Sequence, residues 1–433
     1  MLVLVALAVL TPVYPISSQD SSRLCLTRAL TTGTLTIGRC IGHGTDRARY
    51  DGRIYSDKAP GVALLALPAV VVTDLPPAGR WRIYGNLRVW LVRLLTGGIA
   101  FMSLAFVLGR VAEGLREGTG ALAVVAFAVG SLAGGLAATT FDQVAAAACG
   151  FGAFVLAWRS RPTAAGLLAG LALLVEYQAA LVVAAVALFV GVGNLRALLR
   201  YATGLVPGAA FLAAYDWAAF GSPFHASYRY VANGFARAQA SGFFGIALPH
   251  WHSVRQVLIG GRGVLVTSPV LVLAAIGLVL LARSNRRAAV TCGAVVAGYL
   301  FLEFGYFLPY GGVSPGPRFL IPALPFLALG LPAAAARLPV LTNVLLGWSV
   351  LASTMVRLTW SQIGAWRNQH MDLHHPGRTA GWWLSHLPKV FPANVLTALG
   401  LGKVSAALLI GGCACLTAAV AAQRRSPDRE ARA

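Results

Sequence analysis

The stretch GVALLALPAVVVT, residues 61–73, decides the topology of this chain. With about 13 residues and Pro68 inside it, the stretch is too short for a comfortable crossing, because a transmembrane helix needs about 20 apolar residues. We therefore predict that this short apolar stretch forms a re-entrant or surface-lying helix and does not span the membrane. The side on which every later loop lies follows from this prediction.

Composition places the rest of the chain in a membrane as well. Of its 433 residues, 57% are hydrophobic and only 11% are charged, whereas soluble domains carry about 25% charged residues. The net charge of +21 could indicate a nucleic-acid partner, but the basic residues lie a few at a time at the ends of apolar runs. The composition excludes a soluble globular domain and argues against nucleic acid, so membrane lipid is the expected environment.

We predict twelve transmembrane spans from apolar runs near the length that crosses a bilayer. They are residues 1–16, 88–109, 121–139, 143–158, 163–175, 178–193, 201–219, 264–282, 288–308, 319–336, 338–356 and 404–421. The predicted fold is therefore all-α, a polytopic transmembrane helical bundle of about twelve spans with one re-entrant or interfacial helix. The first run lacks a basic n-region and a small-residue cleavage site, so we interpret it as a span and not as a cleaved signal.

The distribution of arginine predicts which side of the membrane each loop faces. If the short apolar stretch does not cross, fourteen arginines lie on one side, whereas the short loops opposite contribute only Arg318. Because loops rich in Lys and Arg stay in the cytoplasm, both termini are predicted to be cytoplasmic, in the plasma (inner) membrane. The fourteen are Arg110, Arg116, Arg159, Arg161, Arg196, Arg200, Arg283, Arg286, Arg287, Arg337, Arg424, Arg425, Arg429 and Arg432.

Four acidic residues at membrane boundaries reach the outer face in this topology: Asp20, Asp57, Asp142 and Glu176. A charged group at membrane depth costs several kcal/mol unless it is paired or hydrated, so such residues usually mark function. If the short apolar stretch crossed, the bilayer would separate the first two from the last two. Structural interpretations also exist, since Asp20 and Asp142 could cap helices and Glu176 could mark the boundary between two short spans.

Cationic residues near these acids point to a lipid phosphate. Asp57 and Lys58, followed by a Pro-Gly break, offer a metal-capable carboxylate and an anion-binding ammonium at one level of the membrane, although Lys58 could only snorkel to the interface. Arg318 ends a Gly- and Pro-rich loop at the mouth of a span, where its guanidinium could fork onto a phosphate. Arg23 lies three residues after Asp20 on one helical face and is predicted to hold that carboxylate ionised.

The segment FGSPFHASYRY, residues 220–230, is rich in aromatic side chains and contains His225 and Arg229. Its composition suits sugar stacking, metal ligation or phosphate contact. A plain interfacial aromatic belt explains it equally well.

Two of the six cysteines, Cys25 and Cys40, share one polar loop, and the other four lie within apolar segments. The sequence contains no Cys or Cys/His pattern typical of structural zinc. A Cys25–Cys40 disulfide requires that the loop face an oxidising compartment, and the sequence leaves this pairing open.

Together these motifs resemble the GT-C superfold of polyprenyl-phosphate-dependent glycosyltransferases, which includes protein O-mannosyltransferases and lipid A aminoarabinose transferases. The resemblance is best over roughly residues 1–320. It departs from the usual pattern at Ala59, where a second Pro is common, and at Asp57, where Glu is frequent. The residues that carry the resemblance are Asp20 with Arg23, the Asp57-Lys58-Ala59-Pro60 element, Asp142, and Gly316-Pro317-Arg318-Phe319 with Pro322.

The resemblance implies a two-part organisation and a lipid-linked substrate. Residues 1–336 would form a GT-C-like transmembrane catalytic module with outer loops at 17–60 and 220–263, and residues 337–433 a C-terminal transmembrane and outer-loop region of unassigned role. The implied partner is a polyprenyl-phosphate-linked sugar, with one divalent metal ion as an optional cofactor. The acceptor is not identified by any motif.

The resemblance also implies roles for the candidate residues in transfer of a sugar to an acceptor hydroxyl, with inversion, on the outer face. Asp20 would take the proton from the hydroxyl, while Asp142 and Glu176 would orient the acceptor or a basic side chain. The remaining implied roles are stabilisation of the departing phosphate by Lys58, Arg318, Arg229 and Arg23, metal ligation by Asp57 and His225, and substrate stacking by Tyr55, Tyr228 and Tyr230.

Two other classes of function remain open at this point: a transporter or flippase of lipid-linked or anionic solutes, and a non-catalytic scaffold. A transporter should hold several ionisable groups in mid-span and show an inverted repeat, whereas almost all charges here lie at one interface. A scaffold would tolerate the loss of Asp20 or Lys58. The placement of the charges favours the glycosyltransferase.

Overall fold

The computed structural model describes residues 17–42, 45–74, 87–137, 141–312, 314–363 and 402–423. The predicted first span and the arginines of the C-terminal tail lie outside these residues. The all-α prediction is confirmed apart from one small hairpin. The α-helices are Ser18–Thr31, Gly61–Asp74, Leu87–Arg93, Ile99–Leu115, Gly120–Ala128, Leu132–Leu136, Gln143–Trp158, Pro162–Val175, Ala180–Gly191, Leu195–Phe220, Ala236–Gln239, Trp251–Ile259, Val264–Thr267, Val270–Leu281, Arg286–Gly305, Leu324–Ala328, Leu331–Arg337, Pro339–Ile363 and Gly402–Gln423.

Several described helices are long and apolar enough to cross a membrane. Three qualify alone, namely Arg88–Leu115, Leu195–Phe220 and Arg286–Gly305. Two more spans result if each bent pair counts as one, namely Trp251–Thr267 with Val270–Leu281 at 90°, and Arg318–Ala328 with Leu331–Arg337 at 60°. Most other predicted runs within the described residues form shorter apolar helices. The polytopic helical bundle is therefore confirmed, and the number of twelve spans stays a prediction.

The short apolar stretch forms the helix Gly61–Asp74, which is about 21 Å long at 1.5 Å per residue. At its start, Gly61 packs against the backbone of Leu174. Near its end, Thr73 Oγ1 accepts a hydrogen bond from Arg88 Nε at 2.9 Å, five residues before Arg93. The helix has 14 residues, fewer than the about 20 that a span needs, and that it does not carry the chain across stays a prediction.

Glycines allow two long helices to pack backbone against backbone. Gly204 and Gly208 of the helix Leu195–Phe220 face the helix Pro162–Val175. A Cβ at Gly204 would lie 2.0 Å from the carbonyl oxygen of Thr163, so no larger side chain fits there. Small residues four apart are typical of close helix contacts in membranes. This contact fixes the position of the loop that follows the helix Pro162–Val175 and carries Glu176.

Residues on both sides of the predicted boundary at 336/337 pack into one core. The ring of Phe326 lies 5.3 Å from that of Phe151 and 5.4 Å from that of Phe154, centroid to centroid. Leu346 and Val350, beyond the boundary, belong to the same buried cluster. The division of the chain into two regions stays a prediction.

A two-stranded hairpin, missed by the all-α prediction, closes over the end of the bundle. Strand β1, Ala48–Tyr50, pairs antiparallel with β2, Arg53–Tyr55. The turn residues Asp51 and Gly52 have φ of 46° and 70°, the left-handed values that a tight two-residue hairpin turn requires. An isolated bridge joins β1 to Val231, so the two predicted outer loops lie against each other.

Cys25 and Cys40 form a disulfide in the structure, which settles the pairing that the sequence left open. The bond ties the helix Ser18–Thr31 to the loop that leads into the hairpin. Around it, Leu26 and Ile37 are buried in one hydrophobic cluster. The disulfide therefore holds the segment that carries several candidate site residues.

Replacing both Cys25 and Cys40 by Ala is expected to lower the free energy of unfolding by about 3 kcal/mol, since the bond restricts a loop of about 15 residues in the unfolded chain. Chemical denaturation of the purified protein in detergent measures this change. Cys415→Ala, which removes an exposed free cysteine, is the control and should leave stability unchanged. A double variant as stable as the wild type would contradict a stabilising disulfide.

Candidate functional site

A cavity of about 560 Å³ lies where the start of the helix Ser18–Thr31, the hairpin loops and the 3-10 helix Arg318–Ala323 meet. Its wall unites side chains from distant parts of the chain. The candidates predicted from the sequence that line it are Arg23, Asp57, Lys58, Asp142, Tyr228 and Arg318. Residues that the sequence did not indicate also line it, among them Gln19, Asp46, Phe141, Gln143, Asn233 and Tyr306.

A buried chain of polar contacts runs from Arg23 through Asp142 to Glu176. Arg23 Nη2 lies 2.5 Å from Asp142 Oδ2. Gln143 Nε2 donates to Asp142 Oδ1 at 2.5 Å and to Glu176 Oε1 at 3.1 Å. The side chains of Arg23 and Asp142 are 2% and 4% exposed, so two charges removed from water compensate each other. Burial raises the pKa of Glu176 well above its usual range, which favours its protonated form.

The structure contradicts the capping interpretation of Asp142 and agrees with the boundary interpretation of Glu176. Asp142 occupies the N-cap position of the helix Gln143–Trp158, but its side chain makes no capping hydrogen bond. Glu176 does lie at the end of the helix Pro162–Val175. Its contact with Gln143 nevertheless connects it to the cavity wall.

Lys58 lies between two carboxylates. Its Nζ is 3.0 Å from Asp57 Oδ2 and 3.1 Å from Asp46 Oδ2. Although burial acts to lower it, these carboxylates raise the pKa of Lys58 above its ordinary value, so the ammonium stays charged. Burial likewise acts to raise the pKa of Asp46, but Lys58 outweighs it and lowers that pKa. Burial raises the pKa of Asp57, so Asp57 is the more readily protonated of the two acids.

Arg318 is a cation of the cavity wall that makes no ion pair with the described residues. Its guanidinium carbon lies 4.7 Å from the ring centroid of Phe141 and 5.2 Å from that of Phe319. In the amide orientation that satisfies both groups, the Gln19 oxygen accepts from Nη1 at 2.9 Å and from Nη2 at 2.5 Å. Arg318 is 5% exposed, so its positive charge is buried without a carboxylate at salt-bridge distance in the described part of the chain.

Asp20 lies behind the cavity wall. Its Oδ2 accepts from the backbone nitrogen and the hydroxyl of Ser17, both at 2.8 Å, and from Arg93 Nη2 at 3.3 Å. Asp20 and Ser17 form a capping box at the start of the helix Ser18–Thr31, in agreement with the capping interpretation. The predicted pairing of Asp20 with Arg23 is corrected, because the Arg23 guanidinium instead binds a carboxylate 119 residues away.

Four other predicted residues also lie outside the cavity wall. The rings of Tyr55 and Tyr230 pack against Phe220, with centroids 5.4 and 5.3 Å apart, in place of the predicted substrate stacking. His225 Nδ1 lies 2.9 Å from the carbonyl oxygen of Phe220 and from the hydroxyl of Tyr230. Arg229 is exposed. Tyr230 and His225 of the aromatic segment therefore pack within the outer loops, and the interfacial aromatic belt stays a prediction.

The implied divalent metal ion does not fit these side chains. The carboxylate oxygens of Asp57 accept from Lys58 at 3.0 Å and from Ser22 at 3.4 Å. His225, its predicted partner ligand, is hydrogen-bonded within its own loop. Among the residues that the structure describes, no three His, Cys, Asp or Glu side chains are grouped so that they could hold a metal ion.

Sequence reasoning missed Asp46, Gln19 and Arg93. Asp46 lies in an arginine-rich polar loop, where a solvated aspartate is ordinary, and Gln19 has no motif. Arg93 lies inside the predicted span at residues 88–109, and a charge within an apolar run was a signal that could have found it.

The helical bundle and the cavity define a polytopic membrane protein whose fold is similar to that of a solved membrane protein. The chain aligns over 98% of its length with 76% of the crystal structure of ArnT from Cupriavidus metallidurans bound to undecaprenyl phosphate, with a TM-score of 0.53 and 14% sequence identity. The structure of ArnT from the same organism in the apo state covers 97% of this chain and 74% of that chain, with a TM-score of 0.49 and 16% identity. No family model matches the sequence, and no curated protein matches it significantly.

Proposed function

We propose that the protein is an integral membrane glycosyltransferase that moves a sugar from a polyprenyl-phosphate donor to an acceptor hydroxyl, with inversion. The observation that carries this proposal is Arg318, a buried guanidinium in the cavity wall held by an amide and two aromatic rings. A phosphate supplies the missing negative charge and matches the forked geometry of a guanidinium. ArnT, which has the same fold, was solved with undecaprenyl phosphate bound.

The electrostatics of the cavity support an anionic lipid substrate. Its wall contains three cations and three carboxylates, namely Arg23, Lys58 and Arg318 with Asp46, Asp57 and Asp142. Asp142 lies in an ion pair with Arg23, and Asp46 and Asp57 both lie against Lys58, so Arg318 is the cation of this wall that has no carboxylate at salt-bridge distance among the described residues. Its charge attracts a phosphate.

In the proposed reaction the acceptor oxygen forms a bond to the anomeric carbon while the bond from that carbon to the phosphate oxygen breaks. Arg318 and Lys58 stabilise the negative charge that develops on the leaving polyprenyl phosphate. Attack from the face opposite the phosphate inverts the anomeric centre.

We assign to Asp46 the role of the general base that takes the proton from the acceptor hydroxyl. A general base must reach the hydroxyl, and the Asp46 side chain is 14% exposed, against 2% for Asp57 and 4% for Asp142. Asp142 has both oxygens engaged by Arg23 and Gln143, so it positions those side chains. Asp20, the base implied by the resemblance, instead holds the start of the helix that carries Gln19 and Arg23.

We further propose that the cavity opens on the outer face of the plasma membrane, with both termini in the cytoplasm. The Cys25–Cys40 disulfide supports this orientation, because disulfides persist in oxidising compartments. The charge distribution supports it too. The helix Gln143–Trp158 begins beside Asp142 in the cavity and ends at Arg159, one of the arginines assigned to the cytoplasm.

Native mass spectrometry of the detergent-purified protein, with a polyprenyl phosphate added, tests the proposal together with a transfer assay. We expect one bound lipid phosphate in the wild type, weaker binding in Lys58→Ala, and transfer from a polyprenyl-phospho-sugar to an added acceptor mixture. A folded protein that binds no such lipid would overturn the glycosyltransferase. Binding without transfer, accompanied by movement of the lipid between leaflets of a vesicle, would establish the flippase in its place.

Asp46→Asn is expected to reduce transfer by about 10²- to 10⁴-fold while leaving the lipid phosphate bound, because the proton of the acceptor then has no carboxylate to receive it. Asp20→Asn should instead lower the thermal stability and keep most of the transfer rate, because it weakens the cap and the contact with Arg93. Rates from the synthetic donor and melting curves in detergent separate the two effects. If Asp20→Asn folds normally and loses transfer while Asp46→Asn does not, the base is Asp20.

The pH dependence of transfer by the wild type follows from the ion pair between Asp46 and Lys58. Lys58 lowers the pKa of Asp46, so Asp46 stays ionised as the pH falls from neutral, and transfer should hold until the pH passes this lowered value. Above the pKa that Asp46 has in the unfolded chain, the ion pair contributes fully to the free energy of unfolding. This contribution is lost as the pH falls through the lowered pKa of Asp46 in the folded protein. An acid limb of transfer near neutral pH that disappears in Asp46→Asn would contradict a base with a lowered pKa.

A further inference from the structure

A second cavity lies at the opposite end of the bundle from the candidate site. It has a volume of about 490 Å³, and its lining includes Trp158, Phe189, Asn194, Arg200, Asn285 and Arg287. The helix Gln143–Trp158, about 24 Å long, runs from the first cavity to this one. The two cavities are therefore separate sites at the two ends of the helical bundle.

The chain around this basic cavity is rich in arginine and lacks acidic residues. The three connecting segments, residues 158–162, 191–200 and 282–287, contain seven arginines and no Asp or Glu. None of the seven forms an ion pair within the part of the chain that the structure describes. They are Arg159, Arg161, Arg196, Arg200, Arg283, Arg286 and Arg287. An uncompensated positive field of this kind favours an anionic ligand.

Arg287 is held in place at this cavity, whereas Arg200 is free to approach a ligand. The guanidinium of Arg287 donates to the carbonyl oxygens of Phe189 and Val192, and its carbon lies 4.8 Å from the Phe189 ring centroid. Arg200 lines the same cavity, is exposed, and makes no side-chain hydrogen bond with the described residues. The cavity thus presents one guanidinium held by backbone carbonyls and one exposed guanidinium without a hydrogen bond to the described residues.

Two helices begin at the cavity. The side chain of Asn194 accepts from the backbone nitrogen of Ala197, and that of Asn285 accepts from the backbone nitrogen of Ala288, so each caps a helix start. Helix starts carry a partial positive charge from their free backbone N–H groups. This charge adds to that of the arginines.

Apolar side chains beside the cavity indicate what kind of anion enters it. Val192, Leu195 and Leu199 are 68%, 67% and 57% exposed, which in a membrane protein is the exposure of a surface that contacts lipid. Trp158 and Phe189 line the interior of the cavity. The lining thus combines guanidinium groups with aromatic rings, and exposed apolar side chains lie next to its residues along the chain.

We propose that this basic cavity binds the phosphate headgroup of an anionic phospholipid from the leaflet on that side of the membrane. Basic pockets between transmembrane helices are a recurring form of headgroup recognition. The inference rests on the charge and shape of this cavity and does not depend on the activity proposed for the other one.

Titration of the full chain with phosphatidylglycerol, followed by native mass spectrometry, tests the site. Phosphatidylcholine with the same acyl chains is the lipid control. Arg200→Gln should weaken phosphatidylglycerol binding about fivefold, since it removes an arginine that lines the cavity and contacts the headgroup directly. Arg283→Gln is the matched protein control, because it removes the same charge from the same loops but does not line the cavity. Its binding should change by less than about twofold.

The variants differ in their effect on folding. Arg287→Gln removes the hydrogen bonds to two backbone carbonyls and can therefore disturb the fold. It is used only together with Arg200→Gln, after a melting curve has shown that the double variant is folded. Arg200→Gln breaks no such contact and therefore decides the test. Equal losses in Arg200→Gln and Arg283→Gln, or equal binding of phosphatidylcholine, would overturn the proposal. Displacement of the lipid by millimolar inorganic phosphate would assign the cavity to free phosphate.

Discussion

Arg318→Gln is expected to lower the rate of sugar transfer by about 10²- to 10³-fold, because it removes the buried positive charge that faces the departing phosphate. Glutamine keeps a hydrogen-bonding side chain in the cavity wall. No carboxylate in the described residues lies at salt-bridge distance from Arg318, so we expect the fold to survive; a melting curve in detergent checks this, because the buried Glu303 carboxyl also interacts with that charge. Single-turnover transfer from a synthetic polyprenyl-phospho-sugar measures the loss, and native mass spectrometry should show weaker retention of polyprenyl phosphate.

Arg229→Gln is the matched control for this prediction. Arg229 is exposed and outside the cavity wall, although the sequence pattern assigned it the same role. The variant removes an equal charge, so a loss caused only by long-range attraction of the anionic donor would appear in both variants. We expect a change of less than about twofold in Arg229→Gln. Equal losses in the two variants would contradict a phosphate bound at Arg318.

Arg23→Met is expected to lower the free energy of unfolding by about 3–5 kcal/mol, because it leaves the Asp142 carboxylate buried without its cation. The two side chains are 2% and 4% exposed, so water cannot replace the missing partner. The double variant Arg23→Met/Asp142→Asn should recover most of the loss, since it removes the charge together with its partner. Chemical denaturation in detergent measures all three proteins.

Arg28→Met provides the control on the same helix. Arg28 is exposed in the last turn of Ser18–Thr31, where a cation gains at most a favourable helix-end interaction. Its replacement should cost less than about 1 kcal/mol. A double variant as unstable as Arg23→Met alone would show that Arg23 stabilises the fold by packing and not by its charge.

Much of the architecture could be read from the residue order. Apolar runs, few charges and arginines at the ends of runs predicted a polytopic helical bundle, and the structure confirms it. The short apolar stretch forms a helix of 14 residues, and that it does not carry the chain across stays a prediction. These features depend on local composition and on the length of a segment against the thickness of a bilayer, so a linear pattern contains them.

The sequence predicted which residues belong to the candidate site better than it predicted the role of each residue. Counting arginines gathered four acids at one end of the bundle, and the structure links Asp142 to Glu176 through one glutamine. The partner of Arg23 was missed, because the ion pair joins residues 119 positions apart. Asp20 and Asp46 carry the same functional group, and only their surroundings differ: one lies within a helix cap, and the other lines the cavity.

Three properties therefore follow from the order of residues: the class of protein, its helical content and the end of the bundle at which charged residues lie. They follow from it because solvation by lipid acts on each segment separately. Which carboxylate meets which cation, and which cation has no carboxylate at salt-bridge distance among the described residues, depends on how the helices pack. Arg318 illustrates the difference. Its position at the mouth of a predicted span was visible in the sequence, as was its neighbour Phe319. The Phe141 ring and the Gln19 amide that also hold it, in place of a carboxylate, come from segments brought together only by folding.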